Sequence, residues 1–256
     1  MDLVYAFILA FVQGVTEWFP ISSSGHLTIL QKFLGGVDSL DFQVALHFGT
    51  LMAVFVYFRK DITFILRDVL GGNWKTQNSK LGFLILIASI PAGLMGFIFM
   101  SLFDKLSSSF LVLGFGWLIT SMALFVGSSS VKQSKNKFTY SKAFAIGLAQ
   151  MLSLIPGISR SGMTISFGLL FGLNEKESIK FSYLLAIPVI LGASLFTFGN
   201  EYLPFELLGV TIFCFLVSLV FMNFSFKYVL SDRKNLKWFG FYTLILSVIF
   251  IFLGLN

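Results

Sequence analysis

Long apolar runs alternate with short polar ones along this chain, and run length sorts its elements into two kinds. Apolar segments fall at about 3–18, 25–34, 43–58, 82–103, 110–127, 143–155, 162–173, 181–198, 206–226 and 238–255. Six are long enough to cross a bilayer as helices, 43–58 only marginally, since a span takes roughly 17–25 apolar residues. The other four come in pairs, 3–18 with 25–34 and 143–155 with 162–173. At 1.5 Å per residue the run 25–34 makes about 15 Å, half of a roughly 30 Å hydrocarbon core. Each pair is therefore expected to be a re-entrant hairpin turning inside the membrane, where protein buries it or a cavity borders it.

Composition strengthens this reading. The 256 residues are 56% hydrophobic and 12% charged, with 33 Phe and a mean hydropathy of +0.88. Soluble domains carry about 25% charged residues, so an integral membrane protein is expected and a separate soluble domain is excluded. The single Cys214 lies in an apolar run, which rules out a disulfide framework and a zinc site. The start Met1-Asp2-Leu3 has no basic region, so no signal peptide is expected. The net charge of +6 belongs to loops rather than to a nucleic-acid surface. Arg59, Lys60, Arg67, Lys75 and Lys80 lie in the loop 59–80, and Lys132, Lys135, Lys137 and Lys142 in 131–142. Lys227, Arg233, Lys234 and Lys237 lie in 227–237, whereas the loops near Asp104-Lys105 and Glu201 are short and not basic. The positive-inside bias makes the three basic loops cytoplasmic. Segment 36–42 then lies outside, the first hairpin enters from the outer face, and the second enters from the cytoplasm.

An internal repeat makes the same statement. A gapless shift of 137 residues carries Gln13 onto Gln150, Ile21 onto Ile158, Ser22 onto Ser159, Ser24 onto Ser161, Gly25 onto Gly162 and Gly35 onto Gly172. Thr16 meets Ser153, and 43–58 lies over 180–195. The expected fold is an all-α polytopic membrane protein, a single domain over 1–256. Its inverted-topology repeat has halves at about 1–130 and 138–256, each with one re-entrant helical hairpin and three transmembrane helices.

The two hairpin tips hold the candidate chemistry. The first reads Gln13-Gly14-Val15-Thr16-Glu17-Trp18-Phe19-Pro20-Ile21-Ser22-Ser23-Ser24-Gly25-His26. An intramembrane charge costs roughly 2.5–3.5 kcal/mol on insertion scales, so Glu17 marks a functional region. Gln13 and Glu17 share one helix face, and Pro20 ends that helix. The second tip reads Pro156-Gly157-Ile158-Ser159-Arg160-Ser161-Gly162-Met163-Thr164. Free N–H groups at a helix start, serine hydroxyls and a guanidinium together suit a compact phosphate-like anion. Taken singly, these residues read more plainly. Ser24 or Ser161 would be an N-cap, Glu17 a structural partner of Arg160, and His26 and His47 satisfied polar residues, with His47 at a cavity wall left open. Glu175 and Glu177 read as a solvated helix start.

Both tips, with Phe181-Ser182-Tyr183-Leu184-Leu185-Ala186-Ile187-Pro188-Val189 downstream, resemble the signatures of the bacterial undecaprenyl-diphosphate phosphatases of the bacitracin-resistance type. The resemblance implies hydrolysis of undecaprenyl diphosphate to the monophosphate, with a divalent cation, on the outer side of the plasma membrane. Many members have Glu at the position of Gln13 and Thr at that of Ser24, so this chain has one fewer anionic metal ligand. The expected assignment gives metal (Mg²⁺ or Ca²⁺) to Glu17 with Gln13. Substrate binding goes to Ser22, Ser24, Gly25, Ser159, Ser161, Gly162 and Thr164, with Arg160 clamping phosphate. Ser23 is the nucleophile with His26 as base or acid, though His26 or water as nucleophile fits the same residues. Expected partners are a polyprenyl diphosphate and the bilayer, with no nucleic acid and a homodimer left open. The competing class is a polyprenyl-phosphate transporter or flippase using the same anion site.

Overall fold

The computed structural model describes residues 3–34, 40–107, 109–130, 138–198 and 207–255. Residues 36–39 of the expected outer segment 36–42, Lys132, Lys135 and Lys137, the turn around Glu201 and the side chains of Asp104 and Lys105 lie outside the described residues. Every described element is helical. In order these are α1 (Leu3–Thr16), α2 (Ser23–Leu34), α3 (Leu40–Tyr57), α4 (Arg59–Leu70), α5 (Gln77–Ser107) and α6 (Phe110–Ser129). Then come α7 (Tyr140–Met151), α8 (Arg160–Leu170), α9 (Glu175–Phe198), α10 (Leu208–Phe224) and α11 (Leu236–Leu255). Among the described residues five helices are long and apolar enough to cross a membrane, or six if α3 and α4, bent by 78° at Phe58, count as one. This is the architecture of a multi-pass membrane protein.

Residues 59–80 depart from the expected loop, because α4 and the first turn of α5 occupy most of them. The reason is amphipathicity. Ile62 and Ile65 pack on the core, and the side chains of Ile65 and Val69 lie over Gly82 of α5. Asp61 in the first turn and Arg67 in the last complement the helix dipole. Asp61 also pairs with Lys180 of α9. The α9 start differs from expectation too. Asn174 and Glu177 form a capping box, the Glu177 N–H donating to Asn174 Oδ1 at 2.9 Å and the Asn174 N–H to Glu177 Oε2 at 3.2 Å. Glu175, expected to be solvated, instead accepts from the buried Arg233 at 2.7 Å, and Arg233 reaches on to the Ser130 carbonyl at 3.0 Å.

Helices α6 and α11 run along each other, α1 and α3 pack on α10, α5 packs on α7 and α9, and α8 sits against α6 and α9. The central core draws Trp18, Leu84, Leu124, Ile165, Tyr183 and Met222 from elements along the whole chain. Close backbone approach depends on small residues, as is common between membrane helices. A Cβ on Gly116 of α6 would stand 2.3 Å from the Pro156 carbonyl oxygen, and Gly157 lies against the Leu113 carbonyl with φ of +91°. Gly116 thus sets how closely the Pro156-Gly157 turn approaches α6. Gly116→Ala is expected to cost about 1–3 kcal/mol through overpacking. Gly93→Ala, where no atom stands within 4 Å, is expected to leave stability unchanged or slightly raised. Thermal melting of the two variants in detergent checks the contrast.

Candidate functional site

The first helix break, 17–22, puts non-helical backbone in the interior, and three of its carbonyls find donors distant in the chain. The Trp18 carbonyl accepts from Tyr183 Oη at 2.7 Å and Ser225 Oγ at 3.0 Å. The Phe19 carbonyl accepts from Ser161 Oγ at 3.0 Å, and the Ile21 carbonyl from Trp117 Nε1 at 2.9 Å. At the second break the Thr120 hydroxyl donates to the Gly157 carbonyl at 3.0 Å and accepts from the Ser159 N–H at 2.9 Å. Such bonds make irregular backbone tolerable away from water.

The caps fall two residues earlier in each tip than Ser24 or Ser161 would place them. Ser22 Oγ accepts from the Gly25 N–H at 3.3 Å, and Ser159 Oγ from the Gly162 N–H at 3.1 Å. Ser22 and Ser159 therefore cap the helix starts, the role that the plainer reading gave to Ser24 or Ser161. Both still border a cavity of about 210 Å³ beside Ser23, Ser24, Arg160 and Ser161, and Glu17, His47, Ser153 and Ser194 also line it. Drug-sized ligand sites run roughly 300–1,000 Å³, so this one suits a headgroup rather than a prenyl chain.

Glu17 is the hub. Its Oε1 accepts from Arg160 Nη2 at 2.5 Å; its Oε2 accepts from Ser23 Oγ at 2.6 Å and from Gln13 Nε2 at 3.1 Å. The structure thus brings together Gln13, Glu17, Ser23 and Arg160 across the two tips. Arg160 Nη1 is fixed by the Ser182 carbonyl at 3.1 Å. His47 comes to the same wall, with Nδ1 3.0 Å from Gln13 Nε2 and 3.9 Å from Glu17 Oε2. An amide N–H only donates, so this geometry makes His47 Nδ1 an acceptor. The reverse amide orientation would set Gln13 Oε1 against the Glu17 carboxylate.

His26 does not join them. Its Nδ1 lies 2.7 Å from the Ser22 carbonyl and its Nε2 2.7 Å from Tyr242 Oη, so neither nitrogen faces Ser23, and Glu17 is the base within reach of that hydroxyl. Thr164 is also turned away. Its hydroxyl bonds Ser182 Oγ at 2.6 Å and the Arg160 carbonyl at 2.9 Å, which makes it a support for Arg160. Gly25 and Gly162 lie behind the wall, and a Cβ on Gly25 would meet the Trp117 ring at 2.6 Å. Sequence reasoning gave no role to Ser153, Ser182, Ser194, Trp117 or Tyr242. Ser182 stands in a quoted signature, and Ser153 is the repeat mate of Thr16, so those two carried a signal.

Oxygen donors suited to a hard cation are present. Gln13 Oε1 is buried without a partner next to Glu17, whose carboxylate lines the cavity with several hydroxyls. Among the described residues no three His, Cys, Asp or Glu cluster. The set therefore fits an ion such as Mg²⁺, which is typically held by one or two carboxylates plus substrate phosphates.

Helical spans around a buried carboxylate, a guanidinium and facing hydroxyls define a class: a polytopic membrane protein with an internal polar cavity. Residues 6–249 match the family model described as Bacitracin resistance protein BacA. The Undecaprenyl-diphosphatase of Rubrobacter xylanophilus is 36% identical over 265 residues, covering 97% of each chain. Those of Trichlorobacter lovleyi, 41% identical over 202 residues (76% of this chain, 74% of the relative), and Alteromonas mediterranea, 42% over 201 residues (76% of each), carry the same name. The chain belongs to the bacitracin-resistance BacA family.

The Glu17–Arg160 pair is largely buried, at 7% and 14% side-chain exposure. Breaking a buried pair costs about 3–5 kcal/mol because it strands the other charge. Glu17→Gln alone is therefore expected to lower the melting temperature more than the double variant Glu17→Gln/Arg160→Gln, as measured by thermal denaturation in detergent.

Proposed function

We propose that this chain hydrolyses undecaprenyl diphosphate to undecaprenyl phosphate and phosphate, recycling the lipid that carries cell-wall precursors. The observation that carries this reading is the Ser23–Glu17–Arg160 constellation. A serine hydroxyl donates to one carboxylate oxygen at 2.6 Å while a guanidinium holds the other at 2.5 Å. Ser23 Oγ attacks the terminal phosphorus and passes its proton to Glu17 Oε2 as the new P–O bond forms. Undecaprenyl phosphate departs with the electron pair of the broken P–O bond. Arg160, Ser24 and the backbone N–H groups at the start of α8, that of Ser161 among them, hold phosphate oxygens as charge builds on them. Water then attacks the phosphoserine, Glu17 relays the proton back to Ser23 Oγ, and phosphate leaves. A divalent cation would be held by Glu17 and the free Gln13 Oε1 with diphosphate oxygens, and when bound it supplies charge neutralisation. The prenyl tail lies in an apolar groove bordered by Phe11, Val15, Ile29, Leu30, Leu246 and Phe250. Thr16 borders both groove and cavity, which supports a continuous path from tail to headgroup.

The same reading places the protein in the bacterial plasma membrane, with the cavity facing outward and two inverted halves of one domain. Several features support it. Helices α7 and α8 begin at Tyr140 and Arg160, where the 137-residue shift carries the first residues of α1 and α2. Each short pair leans on the opposite half, α1 on α10 and α7 on α5. The ion pairs of Lys180 and Arg233, together with Lys142, gather basic groups near the starts of α9 and α11 and the end of α8.

Purified protein in detergent, given undecaprenyl diphosphate and Mg²⁺ or Ca²⁺, is expected to release phosphate. Ser23→Ala is expected to lose on the order of 10³-fold or more in kcat, and Arg160→Ala about 10²–10³-fold. Near-normal turnover in Ser23→Ala would sink the assignment of the nucleophile. Lipid crossing the bilayer with no phosphate released would make the chain a transporter. Gln13→Glu adds an anionic ligand. It is expected to lower the cation concentration for half-maximal activity and to enlarge the rise in melting temperature on adding Mg²⁺.

A further inference from the structure

Ser22 is the one non-glycine among the described residues with positive φ, at +68°. Side chains with a Cβ disfavour that region, and a residue held there needs its surroundings to keep it. The strain sits immediately before Ser23, so the Ser22 backbone decides where the Ser23 hydroxyl points. The brace is visible. The Ser22 carbonyl accepts from His26 Nδ1 at 2.7 Å and from the His26 backbone N–H at 3.3 Å. A carbonyl oxygen only accepts, so Nδ1 carries the ring proton. In the neutral ring Nε2 is then a lone pair, and it accepts from the Tyr242 hydroxyl at 2.7 Å. The Tyr242 ring lies nearly parallel to the imidazole, at 10° and 5.8 Å, and Trp117 meets it edge-on at 5.7 Å. The second tip has no such strain and no such brace. Ser159 has φ of −77°, and Met163 stands where the 137-residue shift carries His26.

We propose that Tyr242, acting through His26, is a positioning residue for the reaction. Its hydroxyl fixes the Nδ1–H tautomer, Nδ1–H clamps the Ser22 carbonyl, and the clamped Ser22 presents the Ser23 hydroxyl to Glu17. His26 is thereby a positioning residue as well, and it transfers no proton to or from substrate. The proposal rests on Ser23 being the nucleophile.

Substitutions at residue 26 separate positioning from proton transfer. Asn places an amide N–H near the position of Nδ1–H, Gln places one near Nε2, and Ala places none. His26→Asn is expected to keep about a tenth or more of the wild-type kcat. His26→Gln and His26→Ala are expected to fall about 100-fold, the scale of a small misplacement of reacting groups. Tyr242→Phe is expected to lose about tenfold in kcat, the scale of one hydrogen bond, with KM nearly unchanged. A proton-transfer role predicts instead that Asn falls as far as Ala, since neither carries a titrating ring. A second readout needs no turnover. The chain has two histidines, so ¹⁵N-histidine NMR, with His47→Gln for assignment, reads the His26 tautomer directly. The Nδ1–H form is expected in the wild type and a mixture of tautomers in Tyr242→Phe. An Nε2–H ring in the wild type, or Asn no better than Ala, overturns the proposal. A wild-type protein that releases no phosphate overturns the phosphatase reading instead, and the NMR result still decides the brace.

Discussion

Backbone that leaves a helix inside an apolar protein must find hydrogen-bond partners there, and this constraint organises the molecule. Both breaks meet it with groups far away in sequence: Tyr183 and Ser225 on Trp18, Ser161 on Phe19, Trp117 on Ile21, and Thr120 on Gly157 and Ser159. An unpaired backbone group away from water costs about 1–3 kcal/mol, so each donor holds its break in one place. Because the Ser161 donor belongs to the other tip, satisfying the first break also fixes the distance between the tips. The cavity is what remains between two turns that cannot move independently.

Within that frame the charges are few and closely apportioned. Glu17 gives one oxygen to Arg160 and the other to Ser23 and Gln13, so a single carboxylate serves as counter-ion and as partner of a hydroxyl. The helix starts are capped by Ser22 and Ser159, which themselves border the cavity beside Ser23 and Ser24. Thr164 and Ser182 stand behind Arg160 and hold it from the carbonyl side. Neutral hydroxyls thus build the scaffold, and the two charges stay at the cavity wall.

The sequence made the helices legible because length and apolarity are local properties. All ten apolar runs lie on helices, and the shift of 137 residues marks where α7 and α8 begin. Helix α4 escaped because its apolar residues are diluted among charges, and only packing on α5 reveals its buried face. In the site, the meeting of Glu17 with Arg160 could be read from two polar tips in an apolar chain. The direction of His26 could not, because it depends on Tyr242, 216 residues away. The caps were misjudged by a small shift along the chain, since three adjacent serines look alike until the turn geometry chooses one. Glu175 read as solvated because its partner, Arg233, comes from a distant turn.

The Glu17–Arg160 bond joins residues 143 apart in the chain, and that separation matters during synthesis. Ribosomes add about 5–20 residues per second, so the carboxylate waits roughly 7–30 s for its guanidinium. Throughout that interval the nascent segment of α1 and α2 carries an uncompensated acid and unfilled carbonyls. It therefore has good reason to linger at the insertion machinery or near the headgroups, where water can serve it. The charge of Glu17 and the Phe19 carbonyl reach their partners only once Arg160 and Ser161 have been made.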